Sequence, residues 1–212
     1  MKVTIITDDS KSWFIPFGKK FEQILKTQDI EVEYVFDSSD ISVGDICFIL
    51  SCSKIISAEY LKLNKNNIVV HASDLPKGKG FSPLQWQILE GVNDVTLTLF
   101  EVEEKVDSGL FYFKDDVKFN GTELYPELRE KLGNKIIEMC VFFIENKSKL
   151  SPKEQIGEET FYPRRTIKDD QLDIKKTIEE QFNHLRIADN QNNPLYFIRN
   201  GIKYYLKIEK AD

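Results

Sequence analysis

Only two histidines occur in this 212-residue chain, and one, His71, lies in the stretch VVHASDLPKGKGFSPLQW. It follows the apolar run Ile68-Val69-Val70 and precedes a loop of Ser, Asp, Pro, Gly and Lys. An imidazole titrates near neutral pH, so one placed where a buried strand opens to solvent suits proton transfer or polarisation of a carbonyl. A carboxylate beside it would orient it, and Asp8, Asp9, Glu103, Glu104 and Asp107 all lie in loops that follow apolar runs. The plain alternative is a hydrogen-bonded histidine without chemistry, and the local residues leave both open. Lys77, Lys79, Arg164 and Arg165 form two small positive spots, suited to one phosphate or diphosphate, though any single lysine is more simply solvated surface charge.

What is missing narrows the chemistry. No GxGxxG follows the first strand, and no GxxxxGK[ST] is present, which disfavours a dinucleotide fold and transfer from a nucleoside triphosphate. No GxSxG elbow occurs. Two histidines and no Cys-x-x-Cys leave little to hold a dedicated metal. The net charge of −6, with no basic stripe, argues against a nucleic-acid partner. The three cysteines, Cys47, Cys52 and Cys140, have no metal-ligand spacing. Their odd number and an N-terminal strand too short for a signal segment predict reduced thiols and a cytoplasmic location. No apolar run reaches the length of a membrane span.

The elements that must position these residues follow from periodicity. Strands are expected at Met1–Thr7, Glu31–Phe36, Asp45–Leu50 and Ile68–His71. Trp13–Lys26 reads as a loop and then an amphipathic helix, and further helices are expected at Ala58–Leu63 and at Pro83–Glu90 with Ser82 as its cap. This alternation predicts an α/β fold with a Rossmann-like open, mostly parallel sheet and helices on both faces. Longer strands at Val95–Val102 and Leu110–Phe119 flank the acidic loop Glu103–Gly109. A core helix runs over Thr122–Asn146. Residues 148–173 read as a surface-running connector, Ile174–Leu185 as a helix capped by Asp173, and Pro194–Ile208 as a hairpin turning at Asn200-Gly201. The expected division is a core of residues 1–150 and a small C-terminal α+β lobe of residues 151–212. In an open α/β sheet, ligands bind beyond the carboxyl ends of the strands where strand order reverses. The loops Asp8–Trp13, Ser51–Lys54, the one after His71 and Glu103–Gly109 would converge there.

The block HASDLPKGKGFSPLQWQILEG resembles the signature of folate-dependent formyltransferases: His-x-Ser-x-Leu-Pro, a Lys/Gly loop, then a Pro-x-x-Trp helix. VDSG, Val106 to Gly109, matches that family's Asp-[Ser/Thr]-Gly. FYPRRTIKDDQLD, followed by His184-Leu185-Arg186, is similar to the segment after the core in the sugar N-formyltransferase branch, including short enzymes of pseudaminic-acid-type pathways. The resemblance covers roughly Asp45 to Arg186.

The resemblance implies transfer of a formyl group from N10-formyltetrahydrofolate to the primary amine of a nucleotide-linked amino sugar, a UDP- or dTDP-4-amino-4,6-dideoxy sugar, for surface glycan synthesis. It implies that His71 polarises the formyl oxygen and that Asp107 orients the imidazole and helps remove the amine's proton. Such an oxyanion donor is typically worth on the order of 3 kcal/mol. It also implies a folate pocket near Phe48, Leu50, Ser51, Cys52, Phe100, Val102 and Val106. Trp13, Lys77, Phe81, Arg164 and Arg165 are the candidate contacts to the nucleotide sugar. Trp86, on the motif helix, is better suited to the core. The chain departs from the family at Val69, where an asparagine is usual. Asn67 has the same strand parity but lies about 13 Å from His71 along an extended chain. Ser73, a side chain from the Ser51-Cys52-Ser53 loop or a backbone N–H would have to take over. A methionyl-tRNA formyltransferase would be expected to carry a further C-terminal barrel and to meet a polyanion. Formylation of glycinamide ribonucleotide would call for a glycine-rich loop where DDSKSW stands. A catalytically silent folate- or nucleotide-sugar-binding protein and a glycan-assembly scaffold are the non-enzyme alternatives. The edge-strand character of the final hairpin leaves room for a homodimer.

Overall fold

The computed structural model describes residues 1–103 and 107–211. A six-stranded sheet is built from β1 (Lys2–Ile6), β2 (Glu31–Val35), β3 (Gly44–Ile49), β4 (Asn64–His71), β6 (Asp94–Glu101) and β7 (Phe111–Lys118), in the order β2-β1-β3-β4-β6-β7. The first four strands run parallel, and β6 and β7 are added antiparallel. The mostly parallel, Rossmann-like sheet expected from the alternation is thus what forms. Strand order reverses between β1 and β3.

Period-2 side-chain alternation divides each strand between two covered faces. Val3, Ile5, Ile46, Phe48 and Ile68 face one core, where they meet Phe14, Phe21 and Leu25 of α1 (Ile15–Thr27) and its entry, and Leu128, Leu132, Ile136, Cys140 and Phe143 of α4 (Tyr125–Asn146). Ile6, Cys47 and Ile49 face the other side, covered by Ile41, Ile56 and α2 (Ala58–Leu61). The i, i+3/i+4 spacing of apolar residues in α4 explains why its 22 residues remain one helix.

Several boundaries differ from expectation. β4 begins at Asn64, not Ile68, and the side-chain amide nitrogens of its asparagines find acceptors nearby, while Asn64 Oδ1 and Asn67 Oδ1 are buried without a partner among the described residues. Asn66 donates to Glu101 and Tyr112, Asn67 to the Leu61 carbonyl, and Asn64 to the Ser42 carbonyl. Ser82 does not cap α3 (Pro83–Leu89). Its backbone is left-handed (φ 53°) and its hydroxyl makes no cap bond. The helix expected at Ile174–Leu185 shrinks to a single 3₁₀ turn at Glu179–Gln181 followed by α5 (Phe182–Arg186). Asp173 instead closes a local turn by accepting from the Lys175 amide. Thr177 and Glu180 then cap each other's amides, the reciprocal pattern of a capping box, so the start lies later in the chain.

The connector carries structure of its own. Lys153 bridges Phe111, and β8 (Phe161–Tyr162) pairs with β5 (Lys79–Gly80) beside the His71 loop. The chain ends in a hairpin of β9 (Leu195–Arg199) and β10 (Ile202–Leu206), with positive φ at both Asn200 and Gly201, as a type I′ turn requires. A small apolar cluster of Leu185, Ala188 and Leu195 supports it. Arg186 is 1% exposed and reaches from α5 to Glu123, before α4, with its Nη2 at 3.5 Å from the carboxylate. Among the described residues no helix is long and apolar enough to cross a membrane.

Candidate active site

His71 is the last residue of β4 and is 8% exposed. Its Nε2 lies 2.8 Å from the Gly78 carbonyl oxygen. A carbonyl only accepts, so Nε2 carries the hydrogen, and Nδ1 is the nitrogen left for other work. Nδ1 lies 3.8 Å from Asp107 Oδ2. That is longer than a hydrogen bond.

Each partner is fixed by backbone. Thr98, paired opposite His71 on β6, donates its hydroxyl to the Ser73 carbonyl and accepts from the Leu75 amide, so β6 pins the turn after the histidine. Asp107 sits in the left-handed region (φ 51°), and its Oδ2 accepts from the Gly80 amide at 2.8 Å. Gly109, at the end of the same loop, has no room for a side chain. A Cβ there would stand 1.7 Å from the Glu101 carbonyl oxygen. The glycine of the DSG triplet is therefore demanded by packing. Gly80, at φ 98°, passes so close to β8 that a Cβ would lie 2.5 Å from the Tyr162 oxygen.

The other acidic candidates are placed elsewhere. Asp8 accepts from the amides of Ser53 and Lys54 and ties the β1 loop to the β3 loop. Asp9 accepts from Lys11 within its own turn, and Glu103 is exposed. Glu104 and Val106 lie outside the described residues. Among the described carboxylates proposed as partners, Asp107 is the one brought to His71.

The positions considered for folate divide into interior and edge. Phe48 packs edge-on against Phe21 and Phe143 with no exposure, and Leu50 and Phe100 are each 2% exposed. These three belong to the interior rather than to an open wall. Ser51, at φ 58°, shares a hydrogen bond with Ser12. Cys52 and Val102 are half-buried beyond the ends of β3 and β6, and with Val69 they pack on the cluster of Ile6, Cys47 and Ile49. Burial pushes the Cys52 thiol up to about 12, with Asp8 adding to the effect. The position usual for asparagine is therefore part of an apolar edge. Asn67 is committed to Leu61, while the Ser73 hydroxyl is buried without a partner among the described residues.

The acceptor candidates also separate. Phe81 is exposed and stacks under Arg164, whose guanidinium lies 4.3 Å from the ring and also reaches the Ser53 carbonyl. Lys77 is exposed. Lys79 is not free for phosphate: it is 2% exposed and its Nζ lies 2.6 Å from Glu159. Arg165 is held by Asp170 at 2.6 Å and by the Asp169 carbonyl. Trp86 donates to the Pro163 carbonyl and stacks with Tyr162, a structural role. The second histidine, His184, has its pKa pushed down by burial and then by Arg165.

Trp13 lines a cavity of about 1080 Å³ at the strand-order reversal, bounded by the loops after β1 and β3, the start of α4 and residues 188–193. Arg129 lies 4.2 Å over the Trp13 ring and 5.0 Å over Tyr125, and its Nε is buried without a partner among the described residues. Sequence reasoning missed Arg129, Gln155 and Thr160. Arg129 reads as one more charge on an amphipathic helix, and the other two sit in a connector without periodicity. Among the described residues no cluster of metal-ligating side chains occurs.

The sheet carries His71 at the carboxyl end of β4, and the loop after β6, which runs antiparallel to β4 and so leaves from the opposite end, turns back to bring Asp107 to it. The formyl transferase family model matches residues 24–139, and the chain belongs to that family. It is 27% identical over 145 residues to a methionyl-tRNA formyltransferase of Thermodesulfovibrio yellowstonii, a match covering 67% of this chain and 47% of that protein. The chain thus spans about half the length of the curated relatives it matches. Two solved structures share the fold. One is a methionyl-tRNA formyltransferase from Clostridium thermocellum (TM-score 0.84, 20% identity, covering 100% of this chain and 94% of that one). The other is a sugar N-formyltransferase from Shewanella sp FDAARGOS_354 (TM-score 0.74, 16% identity, covering 100% and 99%).

Proposed function

We propose that the protein transfers a formyl group from N10-formyltetrahydrofolate to the primary amine of a nucleotide-linked amino sugar. The observation that carries this reading is the approach of His71 Nδ1, at the end of β4, to Asp107 Oδ2. The neutral amine attacks the formyl carbon, and the bond from that carbon to the folate nitrogen then breaks. His71, in its doubly protonated form with Nε2–H on the Gly78 carbonyl, donates from Nδ1 to the developing oxyanion. Asp107 takes the proton the amine loses and passes it toward the departing nitrogen. The half-buried edge of Cys52, Val69 and Val102 is apolar, which fits the flat face of a pterin. The arginine sandwiched by Trp13 and Tyr125 suits the base and phosphate of a nucleotide. An acidic chain without a basic stripe supports a small acceptor over a polyanion. The second reading, formylation of methionyl-tRNA, is favoured by the sequence relatives.

The test is mass spectrometry of reactions containing N10-formyltetrahydrofolate and, separately, UDP- and dTDP-4-amino sugars and charged initiator tRNA. A gain of one formyl group on a sugar, lost by about 100-fold or more in Asp107→Asn, is the expected outcome. Formylation of the tRNA alone would replace the acceptor. Folate binding without turnover on either would leave a silent binder.

A further inference from the structure

We propose that Gln155, on the connector, is a positioning residue for the formyl-transfer site. It holds the Asp107–Gly109 loop in the conformation that turns the Asp107 carboxylate toward His71. The role of Asp107 rests on the function proposed above; the geometry of the loop does not.

One atom of Gln155 does the holding. Its Nε2 donates to the Asp107 carbonyl at 3.1 Å and to the Gly109 carbonyl at 2.8 Å. Two carbonyls accept from the same amide nitrogen, so the reverse orientation of the amide would set oxygen against oxygen. Its Oε1 is buried without a partner among the described residues, a cost tolerated at a residue whose other end is committed. The clamped loop has one strained member, Asp107 at φ 51°. A non-glycine residue persists there only where its surroundings fix it. With the carbonyls of Asp107 and Gly109 drawn to one donor, the Asp107 side chain is directed to the Gly80 amide and faces His71.

The same connector fixes the other half of the site. The Gly78 amide donates to Thr160 Oγ1, and the Gly78 carbonyl is the group that holds His71 Nε2. β8 then pairs with Lys79 and Gly80. Gln155 and Thr160 thus place an acid and a base from a segment that need not touch a reactant.

The experiment uses Gln155→Glu, which keeps the shape and removes the donor, and Gln155→Leu in case the new carboxylate prevents folding. Asp107→Ala calibrates, and Lys153→Ala, on the same connector but bridging through backbone alone, controls for general disturbance. The first readout is hydrogen exchange of the Gly80 amide, which needs no turnover. Protection is expected to fall in Asp107→Ala, to fall similarly in the Gln155 variants, and to hold in Lys153→Ala. Unchanged protection in the Gln155 variants, or in Asp107→Ala, overturns the proposal. The second readout is the rate of formyl transfer. A misplacement of about 1 Å costs up to roughly 100-fold in kcat, and KM for both substrates should hold. In the Asp107→Ala background the Gln155 change should cost nothing more, since its effect runs through that residue. Additive losses would mean a merely structural role. If the wild-type protein formylates no amine, the functional reading fails while the exchange result still decides the role of Gln155.

Discussion

Replacing Glu123 by Gln should destabilise the protein far more than replacing its partner Arg186 by Met. Glu123 is 2% exposed and receives the amides of Asn120 and Gly121, Lys131 Nζ at 2.6 Å and Arg186 Nη2 at 3.5 Å. Arg186 is 1% exposed and, among the described residues, is left with the Asn183 side chain and the Glu123 backbone carbonyl if the carboxylate goes. Removing Glu123 therefore strands a buried cation, at about 3–5 kcal/mol. Removing Arg186 leaves a carboxylate still bonded by Lys131 and two amides, at roughly 2 kcal/mol. At about 2–4 °C per kcal/mol for a chain of this size, the Gln variant should melt roughly 10 °C lower. The pH dependence gives an independent handle. Burial opposes ionisation of Glu123, but bonds from Lys131 and the Asn120 amide outweigh it and pull the carboxyl from 4.5 down to about 2. A group depressed on folding contributes its full stability above about pH 4.5 and loses it as pH falls toward 2. That shift corresponds to about 3 kcal/mol. Urea titrations followed by tryptophan fluorescence between pH 2 and 7 should show this loss in the wild type and its absence in Glu123→Gln. Equal midpoints for the two single variants, or an unchanged acid limb in Glu123→Gln, would refute the reasoning.

Gly109→Ala should fail to accumulate as a folded protein, because its Cβ would meet the Glu101 carbonyl at 1.7 Å; far-UV circular dichroism and soluble yield would show it. Trp13→Ala should raise KM for the nucleotide-linked acceptor by about 10-fold with little change in KM for the folate, as expected for loss of one stacking surface. Initial-rate kinetics with each substrate varied would separate the two, and a loss confined to the folate would place Trp13 in the wrong half of the site. The same kinetics should show Lys79→Ala acting through folding, since Lys79 is spent on Glu159.

The sheet and its helices are legible in the sequence because period and length coincide there. Val3, Ile5 and Ile6, or Cys47, Phe48 and Ile49, are apolar on both parities, the mark of a strand covered on two faces. The helix wrongly begun at Ile174 shows where the signal misleads. Asp173 has the chemistry of a cap, but Thr177 and Glu180 together offer a better one. The His71 and Asp107 positions are legible through short motifs whose glycines have local causes. What surrounds them is not legible, because it is set by contacts distant along the chain. Nothing local in the stretch near Gln155 announces that its amide reaches back to Asp107 and Gly109. Nor does the charge pattern of Arg165 reveal that Asp170 already holds it.

The connector has a consequence for the order in which the site comes into being during synthesis. His71 and Asp107 leave the ribosome early, but the groups that hold them come later. Thr160 follows Gly78 by 82 residues, and Gln155 follows Asp107 by 48. A nascent chain can complete most of the sheet before either contact exists. Closure over such separations is slow relative to local structure. The half-made protein therefore carries His71 and Asp107 loosely aimed, and their mutual geometry arrives as a late step, when the strap after α4 has emerged and docked across both loops.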